Sequence, residues 1–343
     1  MNVNRKWWRP VLVVSVAMGL VLAACTGGSG ESPADGNGED GGVAGSIVVS
    51  GSSTVEPITS LVAEDFAANN ADFDYSVDGP GTGDGFALFC NGETDISDAS
   101  RPISEEEIAL CEEAGINYVE LKIGVDGISV LTSPNNDAVS CLSFGDLYAL
   151  LGPESQGFDN WNAADDLAAE LDGEFGTSNG PFPDATLDIT APGEESGTYD
   201  SFLEIVFGDI VEARETEEVA RPDYTASADD NVIIEGIGGS DSSLGWVGFA
   251  FYEQNADAVK ALEVDGGDGC VAPTAETIAS NEYPISRDLF IYVNTDAAAE
   301  NEAVSAFVDY YLSDDGIAAV TEAGYVPLEE ASLEETRTAW EGR

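Results

Sequence analysis

Short β-type runs alternate with runs of helical period along most of this chain, and that alternation restricts it to an α/β architecture. Ser46-Ile47-Val48-Val49-Ser50 reads as a buried strand running into Gly51. Ile58, Leu61, Val62 and Phe66 then recur at helical spacing, with Pro57 tolerated in a first turn. Tyr75-Ser76-Val77 is a second short strand, ending at the turn Gly79-Pro80-Gly81-Thr82-Gly83, and a helix carrying Phe86, Leu88 and Phe89 should follow. Asp95 to Ser97 looks like another strand end, and Ser104 with Glu107 forms a capping box that opens the next helix.

Val119 to Ile123 and Val125 to Leu131 are nearly continuous β runs, where the chain is expected to cross into a second lobe. Helices are predicted near Phe144 to Leu151 and Phe202 to Val206, and strands near Leu187 to Thr190 and Gly245 to Phe249. Tyr283-Pro284 and Leu289 to Val293 should return the chain to the first lobe, before a helix over Ala303 to Leu312. The roughly 300 residues that follow the N-terminal segment exceed one ordinary compact core, which favours two lobes. The expected division is residues 46–124 with 284–343 in lobe 1 and residues 125–283 in lobe 2.

The N-terminus carries an address. Arg5, Lys6 and Arg9 precede an apolar run from Val11 to Leu22, followed directly by Leu22-Ala23-Ala24-Cys25. A basic start, a short apolar stretch and a small-residue site make an export signal, too short for a lasting membrane span. The tetrapeptide resembles the lipobox of bacterial lipoproteins. That resemblance implies a signal peptide over residues 1–24, a lipidated Cys25, and an extracytoplasmic protein anchored to a bacterial cell membrane. Residues 25–45 are mostly Gly, Ser, Asp and Glu, as suits a flexible tether. Cys90, Cys111, Cys141 and Cys270 remain, an even set that favours disulfides in an exported protein. Of three connectivities, Cys90–Cys111 with Cys141–Cys270 is preferred, each pair stapling one region. With no histidine and no Cys-x-x-Cys, zinc is not expected, nor any other cofactor.

The formal charge is −55, and removing the signal leaves 8 cations against 66 acids, a net of −58. Such a surface repels nucleic acid and anionic lipid and reads first as a solubility adaptation. An anion ligand would have to be held by other means. Gly51-Ser52-Ser53-Thr54, Gly81-Thr82-Gly83 and Ser196-Gly197-Thr198 each sit at a predicted helix start. A helix start exposes free N–H groups and about half a positive charge, and small hydroxyl residues add donors while letting the backbone approach. Three such segments can hold an oxyanion inside an acidic protein without a basic patch.

SGSSTVEPI (Ser50 to Ile58), GTGDGFALFCNGETDISDASRPIS (Gly81 to Ser104) and APGEESGTYDSF (Ala191 to Phe202) resemble the PstS family of phosphate-binding proteins. ADDNVIIEGI (Ala228 to Ile237), GWVGFAFYEQN (Gly245 to Asn255) and YPISRDLFIYV (Tyr283 to Val293) extend the resemblance over nearly all of residues 46–343. It implies a two-lobed periplasmic-binding-protein-like fold of type II that closes on one phosphate by hinge bending. The expected protein is a monomer that delivers phosphate to the permease subunits of an ABC transporter, and it is not an enzyme. Position by position, Ser53, Thr54, Thr82, Ser196, Gly197 and Thr198 become phosphate ligands. Many members place an arginine four residues before Ser-Gly-Thr, where this chain has Pro192, and Arg101 is the natural replacement. An ion pair with Asp95 or Asp98 is the competing role for Arg101. The family's usual proton-accepting aspartate falls on Ser100, a hydroxyl ligand candidate, which leaves Asp98, Asp84 and Glu195 as alternatives for the acceptor. Sulfate, molybdate or tungstate binding on the same fold is the rival reading. A phosphate-ester hydrolase is a weaker one, because no matched motif supplies histidine, a metal cluster or a Ser–Lys pair.

Overall fold

The computed structural model describes residues 42–343, so the signal sequence, Cys25 and most of the tether lie outside the described residues. The first part of the chain runs β1 (Gly45–Gly51), α1 (Glu56–Asn69), β2 (Phe73–Asp78), α2 (Thr82–Cys90), β3 (Ile96–Ala99) and α3 (Glu105–Ala114). Strand β4 (Tyr118–Thr132) leads to β5 (Cys141–Ser143), α4 (Phe144–Leu151), α5 (Asp165–Leu171), β6 (Asp188–Ala191), α6 (Gly197–Phe202) and α7 (Gly208–Arg214). Next come β7 (Thr225–Ala226), α8 (Asp230–Gly238), β8 (Ser243–Gly248), α9 (Phe249–Gln254), β9 (Lys260–Ala261), β10 (Glu263–Asp265), β11 (Cys270–Val271) and α10 (Ala275–Ala279). Strand β12 (Ser286–Asn294) precedes α11 (Thr295–Glu300), α12 (Glu302–Tyr311), α13 (Asp314–Glu322), β13 (Val326–Pro327) and α14 (Glu330–Glu341).

The main sheet has the strand order β2-β1-β3-β12-β4-β8-β6-β7. Parallel pairs lie on both flanks (β2, β1, β3 on one; β8, β6, β7 on the other), and antiparallel β12 and β4 join them. Strand β4 is the shared beam. Its first part, from Tyr118 to Gly127, pairs with β12, and Ile128 to Leu131 pairs with β8. The two β runs predicted on either side of Gly124 are therefore one strand. Gly124 interrupts the apolar pattern because a Cβ there would meet Val320 Cγ1 at 2.8 Å.

Two large apolar cores hang from this beam. Leu121 and Ile123 belong to a core with Val49, Ile58, Phe66, Ile291 and Phe307. Val125, Ile128 and Val130 belong to another with Tyr148, Trp161, Phe202, Phe207 and Trp246. The period-2 pattern and β-branched residues make β4 a strand, and its length lets one element serve both cores. Disulfides join Cys90 to Cys111 and Cys141 to Cys270.

Several boundaries differ from expectation. Strand β1 opens at Gly45, inside the expected tether, and Val43 N donates to Asn70 Oδ1 at 2.8 Å. Phe249, read as a strand end, begins α9, with Gly248 at its N-cap. The helix expected over Phe202 to Val206 is a π-helical segment, Leu203–Phe207, inserted between α6 and α7.

Candidate functional site

Strand β1 delivers the first helix start. A Cβ on Gly51 would lie 2.0 Å from Asp98 O, so only glycine lets β1 and β3 come this close, and Ser52 N donates to Asp98 O at 2.8 Å. The main chain then folds over itself: Glu56 N donates to Ser52 O at 2.9 Å, and Thr54 N donates to the Ser52 hydroxyl at 3.2 Å. Thr54 is buried while Ser53 is exposed, so the two predicted ligands have different surroundings.

The second start is tied to the first. Gly81 N donates to Gly51 O at 2.8 Å, and a Cβ on Gly85 would sit 2.4 Å from Gly51 Cα. Thr82, the first residue of α2, places its Oγ1 3.1 Å from Ser100 Oγ and accepts from Ser100 N at 3.2 Å. The structure thus brings Thr82 and Ser100 together. Arg101 lies beside α2, its guanidinium 5.6 Å from the Phe86 ring centroid. Its ionic partner is neither Asp95 nor Asp98: Nη1 and Nη2 each donate to Glu107 at 2.8 Å. Glu107 also caps α3 through Ser104. The hydrogen bonds to Glu107 raise the Arg101 pKa, and although burial pushes Glu107 upward, Arg101 and Ser104 bring it below the usual carboxylate range.

The third start faces the first across the gap between the two cores. Ser196 caps α6 by accepting from Thr198 N, and a Cβ on Gly197 would lie 3.9 Å from Ser53 O. Ser201, one turn on, has its Oγ 3.3 Å from Thr54 Oγ1. Arg287 of β12 stands between them: its Nη2 donates to Thr54 Oγ1 at 3.0 Å and to Ser201 Oγ, and its Nη1 donates to Glu204. Arg287, Ser201, Glu204 and Asp126 were not singled out from the sequence. Arg287 and Ser201 lie in strings that carry the family resemblance, Tyr283 to Val293 and Ala191 to Phe202, at positions the resemblance did not mark as ligands.

The carboxylates separate by environment. Asp84 and Glu195 are exposed. Asp98 is fully buried, with Oδ1 accepting from Thr59 at 2.9 Å and Thr59 in turn 3.2 Å from the Tyr311 hydroxyl. Burial, with help from Glu56 and Asp78 and against the Thr59 bond, pushes Asp98 up to about 8. Its Oδ2 is buried and has no hydrogen-bond partner among the described residues. Asp126 is buried on β4, directly across from Arg287 in the β4–β12 register. Burial raises its pKa, while Arg287 and Ser201 act in the opposite direction. Asp126 and Thr198 line a cavity of about 270 Å³ together with Tyr325 and Asp230. A larger cavity, about 620 Å³, is lined by Arg221, Asp223, Tyr224 and Glu235 and shares no residue with the helix starts.

Residues 29–315 match the PBP superfamily domain. Protein SphX of Synechocystis sp. is 40% identical over 287 residues, covering 83% of this chain and 79% of that protein. Phosphate-binding protein PstS of Staphylococcus epidermidis is 34% identical over 324 residues, covering 94% and 89%. Among solved structures, that of a possible phosphate binding protein from Planctomyces limnophilus superposes with a TM-score of 0.78 at 32% identity, covering 88% of this chain and 99% of that one. Matches of this extent in sequence, together with the same fold, place the chain in the PBP superfamily and, within it, in the PstS family of phosphate-binding proteins.

Proposed function

We propose that the protein captures inorganic phosphate between its two cores and presents it to the membrane subunits of an ABC-type importer. The observation that carries this reading is the meeting of Thr54, Ser201 and Arg287, from three distant segments, between the starts of α1 and α6. Hydroxyls, free helix-start N–H groups and one guanidinium make a donor-rich shell for an oxyanion. The names of the PstS relatives support phosphate as that oxyanion. In this reading Ser53, Thr54, Thr82, Ser100 and Arg101 bind from one side and Ser196, Gly197 and Thr198 from the other, with Arg287 joining them. Glu107 and Pro102 O engage three of the five N–H groups of Arg101, leaving two for an anion.

Residues 46–124 with 284–343 act as one lobe and 125–283 as the other, with β4 and β12 as the flexing connection. Binding to one lobe and closure of the second completes the donor shell without covalent chemistry, and the protein works as a monomer and not as an enzyme. The signal-like residues 1–24 and Cys25 support a lipid-anchored, extracytoplasmic placement. No helix among the described residues is long and apolar enough to cross a membrane.

Calorimetric titration of the chain lacking residues 1–25, stripped of bound anion, tests the reading with phosphate and then sulfate. Tight one-to-one phosphate binding without a sulfate response is expected. Equal binding of both would leave an oxyanion site without phosphate selectivity, and no binding of either would end the proposal. Arg101→Ala should weaken phosphate binding at least ~10-fold in a folded protein; unchanged affinity would remove Arg101 from the shell.

A further inference from the structure

Phosphate near neutral pH carries a proton and sulfate does not, so a phosphate site gains selectivity from a buried group that accepts a hydrogen bond and repels a bare anion. The position that usually supplies it in this family is Ser100, whose hydroxyl is neutral and contacts Thr82. Asp98 is directed at Thr59, Asp84 and Glu195 are exposed, and Glu204 is half-exposed and occupied by Arg287. Asp98 Oδ2 is buried without a hydrogen-bond partner, but its Oδ1 is held by Thr59 beneath α1, whereas Asp126 stands opposite Arg287 on the cavity that Thr198 also lines. The Asp126 Oδ2 is likewise buried and has no hydrogen-bond partner, and the adjacent Arg287 Nε is also buried and unpartnered. The two atoms are 3.5 Å apart, beyond good hydrogen-bond geometry.

A lone acceptor beside a lone donor at the edge of the candidate cleft fits a ligand that presents both an oxygen and an O–H. A monoprotonated phosphate has both. Asp126 also borders the cavity shared with Thr198, from the third helix start. We propose that Asp126 is the specificity-determining residue of this site, accepting the phosphate proton while Arg287 donates to a neighbouring phosphate oxygen. The assignment rests on the phosphate-binding reading above. The charged or titratable groups near Asp126 include Arg287, Glu204 and Tyr325, with Asp230 and Glu322 lining the same cavity. Glu204 adds repulsion that Asp126 can tolerate only because Arg287 stands between them.

Asp126→Asn keeps the shape and replaces an acceptor by an amide that can donate to a bare oxygen. Titrated with phosphate and sulfate near neutral pH, the variant should lose ~10–100-fold in phosphate affinity and gain measurable sulfate binding. Equal weakening of both anions would mean that Asp126 only positions Arg287, and unchanged phosphate affinity would mean that it does neither; each result overturns the proposal. If Asp126→Asn does not fold, monofluorophosphate on the unaltered protein replaces it. That ion has the charge of phosphate without the proton, so binding as tight as phosphate overturns the proposal, and rejection alongside sulfate supports an acceptor, which Asp126→Ser then tests at this position. Should the unaltered protein bind no phosphate at all, it is the underlying reading that has failed.

Discussion

Thr54 and Arg287 are 233 positions apart in the chain, yet one hydrogen bond joins them. Both the arginine and its partner Ser201 lie in strings that resemble the family, but neither stands at a predicted helix start, the pattern from which the candidate ligands were read. By contrast, Thr82 and Ser196 sit at helix starts whose hydroxyl and glycine neighbours make them candidate ligands from the sequence alone. Side-chain burial is equally hidden from sequence, and Asp98 shows what it does. Its carboxyl is held neutral by burial, with a pKa of about 8 against an ordinary value of 3.8. The native state therefore binds the proton more tightly than the unfolded chain. The stability that Asp98 contributes is complete below about pH 4 and is lost as pH rises towards about 8. Asp98→Asn cannot ionise and keeps an oxygen for Thr59. Its thermal midpoint should match the parent below about pH 4 and exceed it at about pH 9, by on the order of 1–3 kcal/mol of stability. Parallel pH profiles for the two proteins would show that Asp98 does not titrate in this range.

The alternation of strands and helices was legible because each element has its own signal. The capping boxes at Ser104 and Ser143 mark the starts of α3 and α4, and apolar spacing traces α1 and α12. Less visible was the π-helical segment after α6, where Leu203, Val206 and Phe207 pack in the second core while Glu204 reaches Arg287. An extra residue in a helical turn re-aims side chains without altering the apolar pattern from which the helix was inferred. The junction of β4 was also hidden, because Gly124 breaks the run of branched residues without ending the strand. Close approach of elements is testable at Gly85. Its α2 backbone lies against the end of β1, and an added methyl would meet Gly51 Cα at 2.4 Å and Ser50 O at 3.0 Å. Gly85→Ala should push the start of α2 off β1, costing about 1–3 kcal/mol in denaturant unfolding and weakening phosphate binding as Thr82 moves. Wild-type stability would mean that α2 can shift freely at its start.

At the scale of the whole molecule, charge is managed locally. Among the described residues, Arg101, Lys122, Arg214, Arg221, Arg287 and Arg337 are in ion pairs, and Lys260 donates to Asn136 O and Val139 O. Cations so committed leave the acidic surface to be screened by dissolved salt. Covalent links act over different spans: Cys90–Cys111 closes a separation of 21 residues and Cys141–Cys270 one of 129. In the chain-entropy account these contribute about 3 and about 5 kcal/mol. Replacing Cys141 and Cys270 by Ser should therefore lower the thermal midpoint more than replacing Cys90 and Cys111. The reverse order would mean that the shorter link restrains more than its loop. The beam formed by β4 and β12 also has a consequence for the order of events during synthesis. The core that holds Val49 and Ile58 also needs Ile291, Phe307 and Trp340. Its earliest strands therefore emerge without the partners that complete their burial, and they must wait for almost the last residues of the chain. The other core is assembled from Val125 to Ile285 apart from Val326, so it is largely available before the first can close. The half of the protein that begins the sequence cannot complete its core until the last segment of the chain has emerged.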